Sequence, residues 1–280
     1  MHQKLRQLQR EIAIAAEYGR LVWRAPGKFL RQARRDYSLR FSGFAPGWQA
    51  ANLACRIIDD IADGERKLVS GFASFPALID QLRSQIIERT PMTGSLLPEL
   101  LEEAVCAVER RDRRKGETRE SFVGLLDAML VEHHRRIART VLPKQALIEV
   151  HTASSLHAHN LSLICLGSRT RADSVPLLAE YIGRMGALRD LEHELRLGII
   201  NIPREVLPDG GRTAEQINEL IARPKSIRKM TAVVDWMRAE ARDGLQLAEQ
   251  IRGYRLDQVA RRVTENQVEL YLRYARQCLQ

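Results

Sequence analysis

Glycine and proline are scarce in this chain, 17 and 10 among 280 residues, while Leu, Ala, Arg, Glu and Gln abound. That balance favours helix. The four cysteines, Cys55, Cys106, Cys165 and Cys278, lie far apart and form no paired spacing. Neither a zinc cage nor a disulfide framework is suggested, and a reducing cytosol is the simplest setting. No apolar run reaches membrane-spanning length, and the stretch from Met1 to Trp23 is charged and amphipathic, without the apolar segment of a signal peptide. The expected protein is cytoplasmic, with peripheral contact to a membrane left open. Strict alternation between turn signals, a low-complexity linker and a repeat of solenoid length are all missing. No nicotinamide fingerprint is evident.

What is present is helical periodicity from end to end. Helices are predicted at roughly 3–22, 27–38, 47–65, 74–89, 95–112, 118–138, 144–167, 173–198, 213–222, 226–252 and 256–278, separated by turn signals such as Pro46-Gly47, Thr90-Pro91 and Pro208-Asp209-Gly210-Gly211. The fold class expected is all-α, a helical bundle forming one domain over 1–280. Residues 144–167 are more apolar than a surface helix needs, and 173–191 follows the same trend. Such helices belong in the middle of a bundle, where a central apolar cavity can open. The net charge of +9 suits nucleic acid, anionic lipid or a polyanionic small substrate alike. With no recognisable nucleic-acid module, nucleic acid ranks last.

Two acidic clusters interrupt the apolar pattern: Arg56-Ile57-Ile58-Asp59-Asp60-Ile61-Ala62-Asp63-Gly64-Glu65 and Arg189-Asp190-Leu191-Glu192-His193-Glu194. On a helix Asp59 and Asp63 share a face, as do Asp190 and Glu194, and like charges so placed repel. A divalent cation is the economical partner. Magnesium takes one or two carboxylates per ion and shares the rest of its shell with water and phosphate, so two such helices could hold two or three Mg2+ ions against a diphosphate. The metal then stabilises a leaving group, and a greasy cavity keeps water from the carbocation left behind. Arg56 and Arg189 could contact diphosphate oxygens.

The stretch Ala54-Cys55-Arg56-Ile57-Ile58-Asp59-Asp60-Ile61-Ala62-Asp63 resembles the first aspartate-rich motif of squalene and phytoene synthases. Arg189-Asp190 with Glu194, Gly198 and Pro203 is similar to the second motif of that family, in matching order and separation. Weaker likeness covers roughly 25–275, with Gly27-Lys28-Phe29 and Phe122 to Glu132 at corresponding places. The resemblance implies a class I isoprenoid-synthase fold, magnesium dependence and a farnesyl or geranylgeranyl diphosphate substrate. On it, Asp59, Asp60, Asp63, Asp190 and Glu194 are metal ligands. Asp59, Asp63, Asp190 and Glu194 carry the catalysis, and Arg56, Arg189, Lys28, Arg196 and Asn160 are candidates for binding substrate.

Departures from the family accompany the likeness. Gly183 and Gly186 stand where the family carries Gln and Asn, and Ile199 and Asn201 where it carries Arg and Tyr. Head-to-head coupling of two prenyl diphosphates is the first functional reading, cyclisation of one the second, and a non-catalytic binding protein on the same fold the third. His151, His157 and His159 lack the i,i+4 spacing of a helical metal site and read as core or cavity-wall groups. Glu132-His133-His134-Arg135-Arg136 lacks the HExxH order and reads as a solvated helix face. The run from Arg110 to Lys115 reads as an exposed helix end, with contact to an anionic membrane surface as its alternative.

Overall fold

The computed structural model describes residues 45–90, 96–211 and 213–279. The predicted helices at 3–22 and 27–38, with Lys28, lie outside them. The described residues form nine α-helices and no strand: α1 Ala45–Ala62, α2 Phe75–Glu88, α3 Leu96–Glu109, α4 Glu117–Ala138, α5 Lys144–Cys165, α6 Pro176–Leu197, α7 Ala214–Ala222, α8 Thr231–Arg252 and α9 Gln258–Cys278. None is long and apolar enough to cross a membrane.

Helix ends follow local chemistry. Ser74 caps α2 by accepting from the Ala77 amide at 3.3 Å, Asp257 caps α9 through Ala260 at 2.9 Å, and Thr213 with Gln216 forms a capping box on α7. The 3.6-residue apolar period places Leu78, Ile79, Leu82 and Ile86 of α2 inside, each burial contributing about 1.5–3 kcal/mol. One apolar cluster joins α1 to α5, with Ile58, Leu82, Ala104, Phe122 and Ile164 at its centre. A second joins α6, α8 and α9 through Leu178, Tyr181, Met185, Ala248 and Leu272. The helices α5 and α6 pack on one another along the seam between the two.

That seam is tight because of Gly183. A Cβ there would stand 2.5 Å from the His151 carbonyl oxygen of α5, so only glycine permits the approach. A glutamine, as in the resembled family, has no room. Half-burial is the rule from His151 to His157 on α5, and Ala153 and Ala158 are exposed, so this helix is less enclosed than its apolar sequence predicts.

Candidate active site

Helix α1 stops at Ala62, three residues short of the sequence expectation. Gly64 turns the chain with φ +77°, and its missing Cβ leaves room for the Arg136 guanidinium, 2.7 Å from where that atom would stand. The Asp63 amide still donates to the Asp59 carbonyl at 2.9 Å, which keeps the two carboxylates on one side of the final turn. From α4, Arg136 Nε donates to the Ala62 carbonyl at 2.8 Å, and His133 Nδ1 lies 3.2 Å from the same oxygen. The first cluster is thus pinned to the C-terminal part of α4.

Arg56 lies among the acids of its own helix, 3.0 Å from Asp59, 2.8 Å from Asp60 and 3.6 Å from Glu65. Its cation does not neutralise the cluster. Burial, opposed by Arg56 and aided by Asp60 and Glu132, pushes the Asp59 carboxyl up to about 6. Burial together with the charges of Asp59, Glu132 and Glu65 pushes Asp63 up to about 8. Asp60 is the most enclosed of the three and is raised chiefly by burial.

On α6 the second cluster also ends at a glycine. Gly198 has φ +88°, and the Ile199 amide donates to the Glu194 carbonyl at 2.9 Å. Glu194 lies well above the usual carboxylate range, from burial first and then from the charges of Asp190, Glu132 and Asp63. Glu132 and Asp63 belong to other segments of the chain, so carboxylates from the first motif and from α4 act on Glu194 as well as its own neighbour Asp190. His193 Nε2 closes the arrangement, 2.8 Å from Glu65 Oε1, joining the second cluster directly to the first.

Asp190 pairs with Arg189, whose Nε donates at 2.9 Å with a second N–H beside it. The Arg189 guanidinium lies over the Tyr271 ring, 5.4 Å from its centre. Gly186, one turn before Asp190, faces the Tyr271 hydroxyl, which would lie 3.7 Å from a Cβ there, an ordinary contact. Arg196 is exposed and donates to the Glu192 carbonyl of its own helix at 3.1 Å, while Glu192 pairs with Arg228. The Asn160 side-chain oxygen accepts from the Ala172 amide at 2.7 Å, securing the turn after α5. Neither Arg196 nor Asn160 joins the acids in this arrangement.

The reading of Glu132 to Arg136 as a solvated face is corrected. Arg135 is buried, its Nη1 donating to both Glu132 oxygens at 2.7 and 2.8 Å, and Arg136 holds the end of α1. The run from Arg110 to Lys115 is an exposed turn as expected, except that Asp112 is buried in it against Thr118 and Arg171. The three α5 histidines do not cluster. His151, with Arg135 nearby, is lowered by burial to about 3, His157 packs on Gly124, and His159 is buried facing Gln267. Among the described residues no three His, Cys, Asp or Glu side chains converge to hold an ion as they stand.

Searches with family models and among curated proteins return no match. Among solved structures, the squalene synthase HpnC from Alicyclobacillus acidocaldarius superposes with a TM-score of 0.56 and 17% identity, over 96% of this chain and 93% of that one. The fold is squalene synthase-like. Likeness at this identity extends to the all-helical architecture alone. In that fold the two motifs legible in the sequence face each other, whereas Glu132, Arg135, Asn201, His193 and Tyr271 enter the site through contacts between distant segments. Of these, Glu132 was marked in advance by its alignment with the acid that ends a family helix, His193 by its place in the second cluster and Asn201 as a departure from the family.

Proposed function

We propose that this chain is a magnesium-dependent isoprenoid synthase that ionises farnesyl or geranylgeranyl diphosphate and joins two such molecules head to head, releasing diphosphate. The observation that carries the reading is the approach of the two acidic clusters, joined by the 2.8 Å contact of His193 Nε2 with Glu65 Oε1, with Asp59, Asp63, Glu132 and Glu194 all raised above their ordinary range chiefly by burial. A set of hard oxygen donors is chemically suited to magnesium. Asp59, Asp60, Asp63, Asp190 and Glu194 would hold two or three ions, which would supply neutralisation of the leaving diphosphate.

The protein's own groups would do the rest. Arg56, half-exposed beside the first cluster, and Arg189, beside the second, offer forked donors to diphosphate oxygens. Lys28 is a further candidate cation. Apolar side chains of the surrounding helices would keep water from the allylic cation.

One observation favours a second reading, cyclisation of a single prenyl diphosphate. Close packing at Gly183 leaves no space for the Gln of the resembled coupling enzymes, and Gly186 offers no polar group of its own. Incubating the purified protein with each prenyl diphosphate and magnesium, then measuring diphosphate release and product mass, separates the two. A hydrocarbon of doubled chain length supports coupling, and a product of the original length supports cyclisation. No magnesium-dependent release with any prenyl diphosphate would overturn both.

A further inference from the structure

Ile199 is buried and apolar, so the segment after Gly198 brings no cation of its own to the second cluster. A guanidinium arrives from elsewhere. Arg135 of α4, 5% exposed, donates through Nη1 to Glu132 and through Nη2 to the Ile200 carbonyl at 3.0 Å and the Asn201 Oδ1 at 2.9 Å. Asn201, 4% exposed, then donates from Nδ2 to Glu194 Oε2. The chain Glu132, Arg135, Asn201, Glu194 therefore runs without a break from α4 to the second motif.

The residue types are dictated by donor and acceptor count. Arginine only donates and an ionised carboxylate only accepts, so a residue between them must accept on one side and donate on the other. A short amide does both at fixed geometry. Its orientation is also determined, because the flipped amide would set N–H against guanidinium and oxygen against carboxylate. Arg135 meanwhile tethers the backbone at Ile200, fixing the height of Asn201 above Glu194.

We propose that Arg135 and Asn201 are positioning residues that hold the Glu194 carboxylate in its orientation at the second motif, an inference that rests on the metal–diphosphate reading above. Groups holding a metal-ligating carboxylate in place typically account for about 10–100-fold in metal affinity. Asn201→Asp is close to isosteric: it still accepts from Arg135, but it turns the donor facing Glu194 into a second negative charge. Arg135→Lys keeps a cation for Glu132 but loses the fork that reaches Ile200 and Asn201 together.

The test is calorimetric titration of magnesium into the full chain with inorganic diphosphate present, alongside helical content by circular dichroism. The expected result is about 10–100-fold weaker magnesium binding in Asn201→Asp, and about 10-fold weaker in Arg135→Lys, at unchanged helicity. The magnesium concentration for half-maximal diphosphate release should rise in parallel, with a smaller change in the prenyl-substrate KM. Equal or tighter binding in Asn201→Asp overturns the positioning role alone; if that variant does not fold, Arg135→Lys with wild-type affinity does so. No magnesium binding by the unmodified protein would sink the metal reading and this inference together.

Discussion

Two glycines on α6, Gly183 and Gly186, are one turn apart and should respond oppositely to the same added methyl. At Gly183 a Cβ would meet His151 backbone atoms at 2.5 and 2.7 Å, which cannot swing aside as a side-chain tip can. Restoring ordinary contact requires α5 and α6 to part by roughly 1 Å, forfeiting about a quarter to a half of the dispersion well along the seam. Overpacking of this kind costs about 1–3 kcal/mol, against about 0.5–1 kcal/mol gained by replacing a helical glycine with alanine. At Gly186 the nearest atom is the Tyr271 hydroxyl at 3.7 Å, an ordinary contact, so the gain is realised in full. Gly186→Ala should therefore exceed Gly183→Ala in stability by about 1–3 kcal/mol. Urea denaturation at equal m-values measures the difference, and melting temperatures should separate by several degrees in the same sense. A Gly183→Ala protein as stable as Gly186→Ala would refute the close helix approach and, with it, the explanation for the missing glutamine.

Three further outcomes can be checked. Because Asp63 rises from 3.8 to about 8 on folding, the folded chain keeps a proton that the unfolded chain has released. Its contribution is present below the ordinary carboxylate range and lost as pH climbs to about 8; the metal-free melting temperature should fall from pH 6 to pH 8, and Asp63→Asn should flatten that slope. At pH 8 the same variant should be about 1 kcal/mol more stable by urea denaturation, yet release no diphosphate, as expected where a site is built at the expense of the fold. Arg171→Met strands the buried Asp112 carboxylate, with both side chains 2% exposed, and should cost about 3–5 kcal/mol. Adding Asp112→Asn should recover part of that loss in the same urea experiment.

How much of this could be read from the residues depends on sequence range. The interiors of α4, α6 and α9 and the turn at Pro208 were legible because periodicity and glycine–proline chemistry are local. The end of α1 was placed too late, since Asp63 continues a helical pattern and only the Arg136 contact with Ala62 and Gly64 shows where the turn falls. Asp59 with Asp63, and Asp190 with Glu194, stood out through the local four-residue spacing of like charges, and the motif resemblance then suggested that the two pairs serve one site. Arg135 was misread for the complementary reason. Its neighbours His134, Arg136 and Ile137 look solvated, and nothing nearby announces that Asn201 and Ile200 will cover it. Asn160 was misplaced toward the cavity because a polar residue on an apolar helix invites a functional reading, and the Ala172 amide that occupies it belongs to a turn whose path is not written in α5.

Both acidic motifs stand at helix C-termini, α1 closing at Gly64 and α6 at Gly198, and Arg136 lies beside both glycines. Each terminus carries roughly half a negative charge from its aligned peptide dipoles. Unlike the carboxylates, this backbone charge does not titrate. Acidification can put protons on Asp63 or Glu194, but a residual pull on cations should persist, written into the direction in which two helices run. Reversing either helix while keeping every side chain in place would turn that attraction into opposition, so the polarity of α1 and α6 is itself part of the site.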